Sequence, residues 1–252
     1  MAGTHLHPIE TAVVLCAGRG NRLGELTSAL PKTMLEIRGG LTILDRALAT
    51  LAAVGIRRAR IVAGYFGDVL TRDVARMERA HGVPLVIIEN AHHDSRNNAF
   101  SLALGLLGVD EDLFVVNGDT LFTPEAVRRL GGAPAAPVTL AVDRVKRLGD
   151  EEMKVRFDRD GSLEAISKQL DPAAADGEYI GLARVAGSAV PGLRGALDDV
   201  WSRDPALYYE DGFGGLAASG VSVTMVDVGD LPWIEVDTPE DLERARMMSW
   251  PS

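Results

Sequence analysis

Cysteine occurs once, at Cys16, so the chain has no internal disulfide. No histidine lies near it in sequence, and Cys16 reads as a small core residue of a strand, not as a nucleophile. Aromatic residues make up 5% of the chain, and no polybasic run interrupts a net charge of −10. A nucleic-acid or membrane partner therefore lacks its electrostatic footprint, and an anionic ligand has to be met by a few local cations. Apolar runs fall short of a membrane span. The opening MAGTHLHPIE has neither the cationic nor the apolar part of a secretory signal, and a cytoplasmic protein is the expectation. Lysine is scarce as well, present only as Lys32, Lys146, Lys154 and Lys168. His92 and His93 have no further His or Cys at zinc spacing, and no nucleophile elbow supports Ser-His-Asp hydrolysis.

What the chain does have is 46% hydrophobic residues over 252 positions, enough for one sizeable core. The apolar run 11–17 reads as a strand. After a short extended stretch at 34–37, helix-spaced and strand-like segments alternate: helix 41–54, strand 60–63, helix 68–80, strand 84–88, helix 98–107, strand 113–116. Such alternation implies an α/β fold, a Rossmann-like, mostly parallel sheet flanked by helices. From 137 onward the texture changes to strand-like segments at 138–142, 153–157 and 163–167, with Asp160-Gly161 as a hairpin turn. The Gly-, Pro- and Ala-rich stretch 131–137 is the expected joint. Near the end, a strand over 233–237 leads into a helix capped by Thr238, with Pro239 at its first position and Asp241 completing a capping box.

Between the first strand and residue 35 lies GRGNRLGELTSALPKTML. Glycines there let backbone N–H groups wrap a phosphate chain, and Arg22 and Lys32 can neutralise its oxygens. A dinucleotide fingerprint requires G-x-G-x-x-G running into a helix, but Gly24 falls one position late and Pro31 sits where that helix would be under way. A P-loop requires Gly before Lys-[ST], and Pro31 stands there instead. An ordinary surface turn is the remaining alternative.

The whole string resembles the signature of the nucleotidylyltransferase superfamily, a G-x-G-x-R-L loop followed by P-K. Gly18, Gly20, Arg22, Leu23, Pro31 and Lys32 match, and Asn21 stands where the family often has Thr or Ser. The resemblance implies one domain, with a nucleotide-binding half over about 9–130 and an antiparallel acceptor-binding half over about 137–252. It also implies that Ala17, Gly18, Gly20, Asn21 and Arg22 contact the nucleotide. Gly118-Asp119 ends the strand at 113–116, and Asp237 ends the strand before the last helix. Both aspartates match positions where the superfamily holds its metal, here Mg2+, although each alone is more often a cap or turn residue.

Asn97 and Asn98, ahead of Phe100-Ser101, resemble the N-N-x-Y-S-L stretch of phosphocholine, phosphonate and inositol-phosphate cytidylyltransferases; capping by one asparagine is the plainer reading. Gly64-Tyr65 matches a strand-end Gly-Tyr near the base in the same enzymes. Lys168 resembles their acceptor-phosphate lysine. Lys154, Glu178 and Tyr179 are the other expected acceptor contacts, and the segment around Glu178 looks most like that of phosphonate enzymes.

The expected activity is CTP-dependent transfer of CMP to a small anionic acceptor. Arg22 would hold pyrophosphate, and Lys32 and Lys168 would draw the α-phosphate and acceptor together. Tyr208, Tyr209 and Glu210 could cage a quaternary ammonium or pack a helix on the sheet. A sugar or cyclitol 1-phosphate enzyme using UTP, dTTP or GTP, a non-catalytic nucleotide-sensing subunit and a homodimer stay open.

Overall fold

The structure, a computed structural model, describes residues 9–250. Its elements run β1 (Thr11–Cys16), β2 (Glu36–Arg38), β3 (Leu41–Thr42), α1 (Ile43–Ala53), β4 (Arg58–Ala63), α2 (Gly67–His81), β5 (Leu85–Glu89), α3 (Asn98–Gly105), β6 (Leu113–Asn117), β7 (Thr120–Phe122) and α4 (Pro124–Gly131). There follow β8 (Val138–Asp143), β9 (Lys154–Phe157), β10 (Leu163–Ser167), β11 (Gly177–Val185), α5 (Val190–Arg203), α6 (Tyr209–Ala218), β12 (Val223–Asp227), β13 (Trp233–Glu235) and α7 (Pro239–Met247).

The first strand is apolar on both faces because it is paired on both edges, parallel to β4 on one side and β6 on the other. With β5 beside β4, these four strands form the parallel part of a nine-stranded sheet. The antiparallel strands continue the same sheet: β11 pairs antiparallel with β6, β8 and β9, β10 follows β9, and β12 lies parallel to β8. The expected α/β architecture with an antiparallel extension is what forms.

Alternation along β1 sends Val13 to one face and Ala12, Val14 and Cys16 to the other. The first face is covered by α3, α5 and α6 through residues such as Leu102, Leu193, Leu197 and Phe213. The second is covered by α1, α2 and α4 through Leu44, Leu48, Leu70, Met77 and Leu130. A third, smaller cluster joins distant parts of the chain: Leu23, Leu35, Ile37 and Ile43 pack against Leu121, Ile234, Val236, Leu242 and Ala245. It presses the glycine loop against the last strand and helix. No helix among the described residues is long and apolar enough to cross a membrane.

Thr42 and Asp45 close a reciprocal capping box at the start of α1, which is why the helix begins at Ile43 while residues 41–42 form β3. Thr238 and Asp241 do the same for α7, with Pro239 in the first turn, as the sequence implies. Asp45 does more than cap. Its buried carboxylate also receives Arg76 at 2.7 Å and His81 at 2.7 Å from α2. Burial favours the neutral acid, but the bonds from His81, Arg76 and Thr42 outweigh it and hold the carboxyl well below the usual carboxylate range.

A depressed folded-state pKa stabilises the fold above the unfolded value of about 4, and that contribution is lost as pH falls through the folded value. Asp45→Asn is expected to cost about 2 kcal/mol at pH 7. It should also flatten the fall in stability between pH 5 and acid. Urea midpoints for both proteins across that range check this, and parallel pH dependences would refute it.

Candidate active site

In an open α/β sheet, loops at the carboxyl ends of adjacent parallel strands face a common crevice. Here β1 ends in the glycine loop and β6 ends in Gly118-Asp119. Gly20 takes φ +70°, and a Cβ there would sit 3.0 Å from Lys32 Cβ, so the loop can fold over the lysine stem only with glycine at that position. Beyond it, residues 21–27 form a short 3₁₀ segment broken at Gly24, with Thr27 Oγ1 donating to the Gly20 and Gly24 carbonyls. A long helix does not follow the loop, in line with the sequence argument against a dinucleotide fingerprint. Gly118 allows the β6–β7 turn to press on β1, since a Cβ would lie 2.6 Å from Cys16 Sγ and from the Leu15 carbonyl. Cys16 is buried there and its thiol is pushed up to about 12, mainly by that burial, so it stays protonated and inert.

Asp237 reaches the same place from the far end of the chain. Antiparallel pairing of β13 with β7, and donation from Val236 N–H to the Asp119 carbonyl at 2.9 Å, hold the two aspartates side by side. Between them lies the Lys32 ammonium, 2.7 Å from Asp119 Oδ2 and 2.5 Å from Asp237 Oδ1, on a side chain only 9% exposed. Burial works against its charge, but Asp119 and Asp237 outweigh that and raise its pKa above the ordinary lysine value. Arg22 donates to the other oxygen of Asp237 at 2.6 Å and approaches Glu151 at 3.6 Å. Burial tends to raise the Asp237 carboxyl, while Lys32, Arg22 and Lys168 bring it below its ordinary value.

Asp119, Glu235 and Asp237 each offer an oxygen, and these atoms lie within 4.8 Å of one another. Three carboxylate oxygens are hard donors of the type magnesium or calcium takes. Glu235 was absent from the sequence reading. Its signal was available, because Glu235 and Asp237 are two apart in the segment 233–237 that reads as a strand in the sequence, although β13 itself ends at Glu235.

These groups line one side of a cleft of about 710 Å³. Of the residues singled out in the sequence, Ala17, Gly18, Asn21, Arg22, Asn97, Asn98, Ser101, Lys168, Glu178 and Tyr179 line it as well. Lys32 meets it through its two aspartates. Gly64 and Tyr65 buttress it from behind: Tyr65 N–H donates to the Ala17 carbonyl and its hydroxyl donates to Thr27 O at 3.0 Å. Asn97 caps α3 and donates to the Ala206 carbonyl, and Asn98 Oδ1 accepts from Tyr209 N–H. The asparagine pair thus ties the α5–α6 turn to the rim.

Glu178 is not a sheet-edge carboxylate. It lies in a strand paired on both sides and receives Lys146 at 2.8 Å. Burial still lifts its carboxyl above the ordinary value, against the pull of Lys146. Arg96, also outside the sequence reading, faces the cleft with its guanidinium 4.3 Å from the Phe100 ring centre and 4.5 Å from that of Trp201.

Lys154 stands apart. It is fully buried, and its ammonium donates to the carbonyls of Gly149, Asp150 and Glu152 at 2.8, 3.2 and 3.3 Å. All three of its N–H donors are accounted for, which corrects the expectation that it faces the acceptor. It anchors the loop that carries Lys146 and Glu151.

The sequence pattern of the MobA-like NTP transferase domain matches residues 12–149, and the chain belongs to that family. It is 32% identical over 250 residues to CMP-5'-(3-aminopropyl)phosphonate synthase of Streptomyces rubellomurinus, covering 93% of this chain and 38% of that protein. To the bifunctional IPC transferase and DIPP synthase of Rubrobacter xylanophilus it is 33% identical over 240 residues, covering 94% of this chain and 51% of that one. The chain thus spans about half or less of the length of these relatives.

Among solved structures, the inositol-1-phosphate CTP transferase from T. maritima superposes with a TM-score of 0.79 at 21% identity, covering 98% of this chain and all of that one. CTP:phosphocholine cytidylyltransferase from Streptococcus pneumoniae gives 0.69 at 18%, covering 94% of this chain and 98% of that one. Both likenesses establish the nucleotidyltransferase fold.

Lys154→Met is expected to lower stability by about 1–3 kcal/mol, because three loop carbonyls lose their donor. It should also open the loop around residues 147–152 to protease. Thermal unfolding and limited proteolysis measure both effects. An unchanged melting temperature with a raised acceptor KM alone would return Lys154 to the acceptor site.

Proposed function

We propose that this chain transfers CMP from CTP to a small phosphonate or phosphomonoester and releases pyrophosphate. The observation that carries the reading is the buried Lys32 ammonium held between Asp119 and Asp237, two acids that line a cleft which Arg22, Arg96, Lys146 and Lys168 also face. A cation buried among acids, with more cations around it, suits a phosphate chain that arrives with a divalent metal. The names of the two curated relatives, each matched over more than nine-tenths of this chain, support the choice of nucleotide and acceptor class.

An acceptor oxygen forms a bond to the α-phosphorus of CTP, and the bond from that phosphorus to the β-phosphate oxygen breaks, with the electron pair leaving on pyrophosphate. Both reactants are anions, so the barrier is largely charge repulsion, and rate enhancement comes from placement and fixed charge. N–H groups of the glycine loop and Arg22 take the departing pyrophosphate. Lys32 takes the α-phosphate. Lys168 takes the acceptor anion, while Asn97, Asn98 and Ser101 face the nucleoside from the start of α3.

Asp119 and Asp237, with Glu235 beside them, are the residues that would hold Mg2+, and their donor set fits a hard cation. When bound, the metal supplies positive charge to phosphate oxygens. The half-and-half division of labour belongs to the same proposal, with residues up to about 130 holding the nucleotide and those from about 137 the acceptor.

Pyrophosphate release with Mg2+, measured across five nucleotides and a set of phosphonate, phospho-alcohol and hexose phosphate acceptors, tests the reading. Turnover confined to CTP and a non-hexose acceptor is expected. Turnover with a hexose phosphate would move the chain to sugar activation, and silence with every pair would leave a nucleotide-sensing role. Asp119→Asn should reduce kcat/KM on the order of a hundredfold or more, with the unfolding temperature nearly unchanged. Near-normal turnover in that variant removes Asp119 from the chemistry.

A further inference from the structure

Two buried carboxyl groups face the acceptor side of the cleft, and only one of them is ion-paired within the protein. Glu178 has Lys146 at 2.8 Å. Glu210, 4% exposed, makes no ion pair among the described residues; Tyr209 and a backbone N–H bond to its carboxyl and Lys168 acts on it from beyond ion-pair distance, but its buried Oε2 has no hydrogen-bond partner. Buried carboxylates are ordinarily paired, so an exception that opens on a cleft is a position a ligand can complete.

Glu210 also borders a side pocket of about 150 Å³ whose walls include the apolar side chains of Met153, Ile166 and Leu207. Lys168 and Tyr208 border both this pocket and the main cleft. A cation and a buried carboxyl that an incoming ammonium can hold ionised therefore border one small pocket, together with apolar side chains.

We propose that the side pocket receives a primary ammonium, carried by the acceptor on a short apolar chain, with Glu210 Oε2 as its hydrogen-bonding counter-charge and Lys168 meeting the acceptor's anionic end. The assignment rests on the cytidylyl-transfer reading, which places the anionic end of the acceptor in the cleft. It specifies a zwitterionic ω-amino phosphonate or phosphomonoester.

A quaternary ammonium fits less well. It prefers several aromatic faces, but Tyr209 is wholly buried against Tyr179 and Phe213 and hydrogen-bonds to Asn117 and Tyr179. Tyr208 is left as the one ring of the pair facing the pocket, with Lys168 already 5.2 Å above it. A quaternary group also has no N–H to offer Glu210, whereas a primary ammonium has three. Burial lifts the Glu210 carboxyl to about 8 against the pull of Lys168 and the Tyr209 hydroxyl, and an ammonium bound beside it favours the ionised form.

Calorimetric titration of the full chain, with Mg2+ and a non-reactive α,β-methylene analogue of CTP present, tests this without turnover. The ligands are 3-aminopropylphosphonate, 2-aminoethylphosphonate, n-propylphosphonate and phosphocholine. At least one aminophosphonate is expected to bind roughly 30-fold or more tighter than n-propylphosphonate. In Glu210→Gln that preference should collapse to within about threefold, with the unfolding midpoint reported alongside.

Equal binding of amino and alkyl ligands by the wild-type protein overturns the proposal, whether or not the variant folds. So does tighter binding of phosphocholine than of either amine, a preference that survives Glu210→Gln, or no binding of any ligand. Amine preference without pyrophosphate release from CTP would sink the transfer reading alone and leave the Glu210 pocket standing.

Discussion

The bridge that Lys32 makes between Asp119 and Asp237 is the constraint on which the rest of the structure turns. An ammonium taken out of water is costly unless counter-charges meet it, and two carboxylates from opposite ends of the sequence do so here. Each demands its own scaffold. Asp119 needs β6 to end against β1, which the absent side chain of Gly118 permits. Asp237 needs β13 to pair with β7 and the third apolar cluster to hold the final helix against the glycine loop. Remove any of these supports and one acid of the pair moves away from the lysine.

The same bridge explains how a chain of net charge −10 can receive anions. Its surface potential repels a nucleotide, so attraction has to be local and geometrically fixed. Three of the four lysines stand in or beneath the cleft. The fourth, Lys154, holds the loop that carries Lys146. Lysine is therefore kept where a compact charge with three donors is needed, and three of these four ammonium groups are held by carboxylates or carbonyls of the protein. Arg22 and Arg96 are positioned differently, one by an acid and the other between aromatic rings.

Local rules made much of this legible in the one-dimensional chain. The capping box and proline of α7, the first four parallel strands within a few residues, the hairpin turn at Asp160-Gly161 and the phosphate-type loop all follow from short-range sterics and side-chain periodicity, which neighbouring residues alone dictate. The pairing of Gly18, Arg22 and Lys32 with Asp119 and Asp237 was reached through a family signature, not through spacing.

Tertiary structure decided what depends on residues far apart. Whether Lys154 or Lys146 turned to the cleft was set by loop carbonyls folding back on one of them, and alternation on a strand cannot distinguish solvent, core and site. Whether Glu178 sits at a sheet edge or in the interior is decided only when β11 pairs on both sides, because strand order is a non-local property. Glu235 joined the aspartates only once β13 lay beside β7, and Glu210 became distinctive only when folding buried its Oε2 without a hydrogen-bond partner. The sequence by itself determined which residues could carry charge and which segments would be helix or strand. Only the fold determined which charges meet, since burial and pairing are properties of three-dimensional neighbours.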